Sequence, residues 1–358
     1  MMKKRIILLL TLSLCALLGI EAQTLTDNEW RNRAFNEYDV TAYCSYTSFH
    51  PQHYILDNSW DILRFFRTPG TLHALKSAGI AANNSQLRLL EVGGLLERRK
   101  ENDSIVFHTL MPIFSKEQTG EIRLLSLVMA DSLLTAYKAD FKALLKLIKR
   151  KGWEKQTYSL VYSVLLDGYI WDDTRIVKAS DMNNHGTWSG VYYAMYDKRP
   201  GMKCGTNGYG PIKLNWSDSL CYWVSTKKML QVANEINSTR KPVITDRELA
   251  QWFSPWGICD AEGQITVPVI YKGSGDEMDR LCCQIADKLS AAVKAKAEEF
   301  MKRYDIGSRN EAEVILYHEI LFDMKVLLEE RGLIKMPAIL KGEEVGQSHF
   351  GDVVFIML

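Results

Sequence analysis

Cys204 stands at the mouth of a glycine-rich stretch, Lys203-Cys204-Gly205-Thr206-Asn207-Gly208-Tyr209-Gly210. A thiol nucleophile needs a base to generate thiolate and N–H donors to hold an oxyanion, and a loop rich in glycine offers its backbone for the second task. His185 and Asp181 are the nearest partners in sequence for the first. The competing expectation is structural: Cys204 pairs with Cys221 across the loop, which contributes about 3 kcal/mol in the chain-entropy description of a disulfide. The structural expectation is preferred. The glycines do not form a dinucleotide fingerprint, because no clear strand precedes them and no helix follows directly.

A second set of chemically able residues is Tyr317-His318-Glu319 with Asp323. Glu319 and Asp323 are four apart and share a helix face, where two like charges repel unless a cation or a shared proton compensates. With His318 they are the candidate metal or acid–base set, weighed against a solvated polar helix face, which is preferred. His50 and His53 are too isolated to define a metal site. No metal or other cofactor is therefore expected.

The third set is aromatic. Between Trp153 and Trp223 there are five Trp, eight Tyr and no Phe. Exposed Trp and Tyr rings stack on sugar faces and neighbouring amides bind hydroxyls, so Trp171, Trp188, Tyr192, Tyr193, Asn207, Tyr209 and Trp216 are the candidate ligand-binding residues, with Tyr196, Tyr222 and Trp223 in the same segment. An aromatic-rich core is the competing expectation. His-Glu-x-x-His, Gly-x-Ser-x-Gly, P-loop and Cys-x-x-Cys patterns do not occur, which lowers the expectation of familiar hydrolases and nucleotide enzymes.

The compartment is read from the start of the chain. Lys3, Lys4 and Arg5 precede an apolar run from Ile6 to Ile20, and Ala22 before Gln23 is a small-residue cleavage point. This is the layout of a secretory signal peptide, with a run shorter than the roughly twenty residues that span a bilayer. No later segment is both long and uncharged enough to span one, so the mature chain is expected in the periplasm or outside the cell. Six cysteines remain after Cys15 leaves, and basic and acidic residues nearly balance, so no global field favours nucleic acid. The Ala22-Gln23 junction resembles signal peptides of the Bacteroidetes. Asp103-Ser104-Ile105, Asp131-Ser132-Leu133 and Asp218-Ser219-Leu220 resemble the O-glycosylation motif of that phylum.

Positioning these residues falls mostly to helices. Thr26 with Glu29 has capping-box spacing before a helix through Trp30 and Phe35. Residues 60–66, 71–77 and 85–92 predict three short helices, followed by strands over 95–99 and 104–114 around a polar turn. Three helices and a hairpin over 59–114 resemble a winged helix, with a fainter echo over 245–271, where Thr245 and Glu248 have capping-box spacing. In an exported chain these segments imply scaffold or protein contact rather than DNA binding. Residues 121–150 predict a long core helix carrying Leu124, Leu127 and Val128, broken at most once, and 158–169 a second beside it. Asp276–Tyr304 and Ser308–Arg331 predict two further helices, the last ended by Gly332, and Val353–Leu358 a strand.

The expected protein is α+β and predominantly helical: signal peptide 1–22, winged-helix-like domain 23–120, helical and aromatic-rich domain 121–242, and helical C-terminal domain with a small sheet 243–358. The leading functional expectation is an extracytoplasmic binding or protein-interaction protein for a glycan, a peptide or another exported protein. The alternative is a thiol-dependent hydrolase or transferase using Cys204.

Overall fold

The computed structural model describes residues 33–46, 49–171, 175–176, 182–201, 203–220 and 224–358. Asp181, Cys221, Tyr222, Trp223, Thr26, Glu29 and the whole signal segment lie outside the described residues. The fold is α+β and mainly helical, 53% helix against 17% strand. It divides into two compact units, the first made of residues up to Thr41, Pro51–Glu121 and Tyr193–Lys198, the second of Ala42–His50, Ile122–Tyr192 and Arg199–Leu358. Residues 122–192 and 199–358 thus fall together in one unit.

Phe35–Glu37, in the first unit, is a single 3₁₀ turn that leads into strand β1 (Asp39–Tyr46); the start of the helix expected through Trp30 and Phe35 lies outside the described residues. Helices α1 (Ser59–Phe65), α2 (Leu72–Ser77) and α3 (Asn84–Val92) form where breakers leave room for them. Thr71 caps α2 by accepting from the Ala74 N–H at 3.2 Å, and Asn83 with Gln86 makes a reciprocal box on α3. Leu63, Phe66, Leu75, Leu90 and Phe107 are buried in this unit. Strands β3 (Leu96–Glu101) and β4 (Ser104–Thr109) pair through a turn at Asn102-Asp103, both at positive φ, a conformation these side chains tolerate in a two-residue hairpin. A short strand β2 (Gly70–Thr71) joins the other edge of β4, giving the order β2-β4-β3. The expected strand over 104–114 is split: β5 (Ile113–Phe114) instead pairs in parallel with the end of β6 (Trp188–Met195).

The second unit is framed by three long helices and several shorter ones. α4 (Lys116–Ala136) and α5 (Lys138–Arg150) are one pattern broken at Tyr137. The face of α4 that is buried runs through Ile122, Ser126, Ala130 and Leu133, and Leu124 and Val128, expected in the core, are 62% and 56% exposed with Leu127 beside them. The seam followed the i, i+4 row that meets Asp323 rather than the row richest in leucine. Helices α6 (Thr226–Thr239) and α7 (Arg247–Phe253) are followed by the long pair α8 (Glu277–Tyr304) and α9 (Arg309–Glu330). Asp276 and Ser308 cap this long pair through the N–H groups of Asp279 and Glu311, and Gly332 follows at φ +64°. α7 is capped by Asp246, one residue after the expected Thr245. α9 is buried along most of its length, with Glu313, His318, Glu319 and Asp323 among its buried residues, so it is the centre of the unit.

One sheet completes this unit, in the order β7 (Cys204–Tyr209), β8 (Ile212–Ser217), β10 (Val354–Met357), β9 (Val269–Ile270). The C-terminal strand enters between β8 and β9, antiparallel to the first and parallel to the second. Of the alternation over 264–271 only β9 and two isolated bridges, Val243 to Gln264 and Cys259 to Ile265, become strand.

Candidate functional site

The chain from Thr157 to Trp171 is a compound helix: one α turn, a π-helical stretch Leu160–Leu166 and a 3₁₀ turn. The wide π turn is closed by the Asp167 N–H on the Tyr162 carbonyl at 2.8 Å. Its residues are buried on all sides, and Ser163 is the polar member. Facing it is the sheet. Strand register pairs Cys204 with Ser217, Thr206 with Asn215 and Gly208 with Lys213, and alternation puts these positions on one face. Ser163 Oγ meets Thr206 Oγ1 at 2.7 Å and also takes the Asn215 amide. Thr206 and the Trp171 indole N–H, at 3.2 Å, hydrogen-bond the Asp167 carboxylate. Burial pushes that carboxyl up to about 6, against the pull of these two hydrogen bonds.

At the start of β7, Cys204 Sγ lies 3.4 Å from the Tyr158 hydroxyl, and the Tyr162 hydroxyl donates to the Cys204 carbonyl at 3.3 Å. Burial raises both phenols well above their ordinary range, so both stay protonated and neither acts as a base. His185, the expected base, instead stacks on Trp188 with ring centroids 3.8 Å apart. The glycine-rich stretch is a strand, not a loop, and alternate N–H groups along it are spent on β8 rather than turned to an oxyanion. Among the described residues no histidine or carboxylate hydrogen-bonds the Cys204 thiol, and that thiol is free, which corrects the preferred expectation of a Cys204–Cys221 disulfide.

The metal reading of His318, Glu319 and Asp323 is corrected by Arg199. Its guanidinium bridges both carboxylates, Glu319 at 2.6 Å and Asp323 by an equally direct contact, while Ser126 donates to Asp323 and Arg123 stands 3.9 Å from Glu319. The compensating cation is an arginine, and the face is buried rather than solvated. His318 points elsewhere: its Nδ1–H donates to the Val314 carbonyl at 2.8 Å, and its ring packs 4.9 Å from Trp171 and 5.8 Å from Tyr43. Burial drives its pKa down to about 4. No cluster of three metal-ligating side chains occurs among the described residues, and His50 packs edge-on against Tyr192.

Most of the predicted aromatic surface is core. Trp188 is 2% exposed, and Trp171, Tyr192, Tyr193 and Tyr196 are buried with it. β6 is a strand buried along nearly its whole length, and Gly190 lets it pass so close to β1 that a side chain there would strike the Tyr43 carbonyl. Polar tips do not require a wet face when they find partners inside: the Tyr317 hydroxyl donates to the Leu166 carbonyl at 2.5 Å and Tyr169 to Asp279 at 2.7 Å. What stays at the surface is the β7–β8 hairpin, with Asn207 and Gly208 exposed and Tyr209 and Trp216 half-buried.

That hairpin ends in an edge. The Asp218 N–H donates to the Lys203 carbonyl, which fixes the phase of the ladder: residues 205, 207 and 209 bond to β8, and 204, 206 and 208 face away from it. The Cys204 carbonyl is taken by Tyr162. The backbone N–H and C=O groups of Thr206 and Gly208 have no protein partner among the described residues, although α6 packs against β7, near Gly210. Lys213 is not among the residues expected from the sequence, and Gly208 is expected there only as part of a loop; the turn Gly210-Pro211 followed by alternating Ile212, Leu214 and Trp216 is the available hairpin signal.

Comparison with known proteins gives no relative: no family model, no curated protein and no solved structure matches the chain.

Proposed function

We propose that this chain is an exported, non-catalytic binding protein that takes an extended peptide along the open edge of β7. The observation that carries the proposal is the outward backbone of Thr206 and Gly208, unpaired among the described residues, at an exposed hairpin. Such a row of donors and acceptors is a template for an added strand, with main-chain hydrogen bonds supplying affinity and flanking side chains supplying choice. Tyr209 and Trp216 are the flanking rings, and Asn207 is the flanking amide. A peptide is favoured over a glycan because most of the aromatic segment is buried, which leaves too few exposed rings for a sugar platform. The Cys204 thiol meets the Tyr158 phenol rather than a base, and His185 stacks on Trp188, which weighs against the thiol-enzyme alternative.

Export rests on the charged start, the apolar run and Ala22. Sequencing the mature protein should find Gln23 at its N-terminus; a retained Met1 would remove the compartment from the argument. We read the module over 59–114 as winged-helix-like and as a scaffold or protein contact, a reading supported by the extra strand β2 closing the hairpin sheet.

The binding test uses synthetic hexapeptides of alternating Val and Thr. Gly208→Pro removes one outward N–H and leaves the β8 ladder intact, since proline is tolerated on an edge strand, while its ring also pushes the Lys213 ammonium aside. Wild type should bind and Gly208→Pro should lose most of that binding with its melting temperature nearly unchanged. Equal binding by both would overturn the proposal.

A further inference from the structure

Gly208 is where the open edge meets a charge. Lys213, its cross-strand partner on β8, does not stand up from the sheet but lies across the glycine: a Cβ at position 208 would fall 2.6 Å from Lys213 Nζ and 3.2 Å from its Cδ. Any other residue at 208 would displace the lysine. The missing side chain therefore opens a path by which an ammonium on the second strand crosses the first and reaches the edge. An added strand would run about 4.8 Å beyond β7, within reach of that ammonium.

The charge of Lys213 is uncompensated. No carboxylate pairs with it among the described residues, it is half-buried, and its charged neighbour is a second cation, Lys272, whose ammonium sits 5.2 Å from the Tyr169 ring. Burial, with the Lys272 charge behind it, depresses the Lys213 pKa. A partly desolvated cation facing another cation is an unfavourable arrangement in the free protein that an anion arriving from outside would relieve. Open backbone and unpaired cation converge on one residue, Gly208.

Resting on the edge-strand reading, we propose that the β7 site selects peptides that place a carboxylate opposite Gly208, where Lys213 receives it. The carboxylate is either a peptide C-terminus or an Asp or Glu side chain.

Three hexapeptides of alternating Val and Thr test this by calorimetry on wild type, Lys213→Met and Gly208→Pro. One ends in a free carboxylate, one in an amide, and one in an amide after a terminal Asp. Lys213→Met keeps the apolar stem, and its melting curve checks folding. The expected result is that wild type binds one or both acid peptides at least roughly tenfold tighter than the neutral amide, a hydrogen bond to a charged group being of that size. Lys213→Met should bind all three alike at the amide level, and Gly208→Pro should bind none. Whichever acid peptide is preferred identifies the source of the carboxylate. If wild type binds acid and amide peptides equally, the carboxylate inference fails while the edge reading stands. If wild type binds no peptide, or Gly208→Pro binds as wild type does, the edge reading fails and takes the inference with it.

Discussion

The Cys204 thiol is 3.4 Å from the Tyr158 hydroxyl, whose ring stacks on Tyr162 with centroids 5.6 Å apart. A nucleophilic cysteine needs a neighbour that stabilises thiolate, and a phenol locked in its neutral form by burial does so weakly. Cys204 should therefore alkylate slowly at neutral pH in the folded protein. Cys204→Ser, which can keep the contact to Tyr158, should bind peptide as wild type does and lose no more than about 1 kcal/mol of stability in denaturant titration. Rapid alkylation together with lost function would restore the catalytic reading.

Arg199 holds two buried carboxylates. Removing it in Arg199→Met leaves Asp323 without its cation and Glu319 with only the more distant Arg123, and the expected loss is about 3–5 kcal/mol, read from chemical unfolding. Adding Glu319→Gln and Asp323→Asn should recover much of that loss, because the destabilisation belongs to the uncompensated charge. A single mutant as stable as wild type would mean the network is not closed in solution.

Two groups give the stability opposite pH slopes. Burial puts the Asp167 carboxyl up to about 6, above the roughly 3.9 of the unfolded chain, so the folded state holds a proton the unfolded state has lost. Its contribution falls as pH rises from about 4 through 6. His318, down to about 4 against about 6.5 unfolded, contributes stability that is lost as pH falls through the same range. Asp167→Asn should raise stability at pH 7 by on the order of 2 kcal/mol and change little at pH 4. His318→Phe should flatten the acid limb. Melting temperatures between pH 4 and 7 read both slopes, and a shift of either mutant in the reverse sense would contradict the assignment.

Local chemistry was legible in the sequence and long-range pairing was not. Asp276, Ser308 and Gly332 declare the ends of their helices because a cap acts within one turn, and the apolar β-prone tail declared itself a strand. The like-charged pair Glu319 and Asp323 announced its need for a cation, but that cation is 120 residues away from Glu319 in the chain. The stretch from Cys204 to Gly210 was read as a loop because glycine is a poor strand former, whereas β8 imposes the extended conformation and Trp216 covers Gly205 in place of a side chain. The excess of Tyr over Phe suggests a wet surface, whereas the hydroxyls of Tyr158, Tyr162 and Tyr169 are bonded inside the fold.

Trp188 and Trp216 should separate core from surface. Trp188→Ala removes a fully buried ring and should lose about 3–5 kcal/mol of stability. Trp216→Ala removes a half-buried ring beside the edge strand, so it should weaken peptide binding with a smaller stability loss. Thermal melts and binding isotherms on the two variants check this; the reverse ranking would move the binding surface away from the hairpin.

The central claim is that the outward backbone of β7 pairs with a guest strand, and residue-resolved amide exchange tests it directly. In the free protein the Thr206 and Gly208 amides should exchange fast, while those of Gly205 and Asn207, already bonded to β8, should be slow. Saturation with the acid hexapeptide should slow Thr206 and Gly208 by tenfold or more and leave Gly205 and Asn207 nearly unchanged, as two new main-chain hydrogen bonds require. Slow exchange at Thr206 and Gly208 before peptide is added, or no change after saturation, would contradict the account.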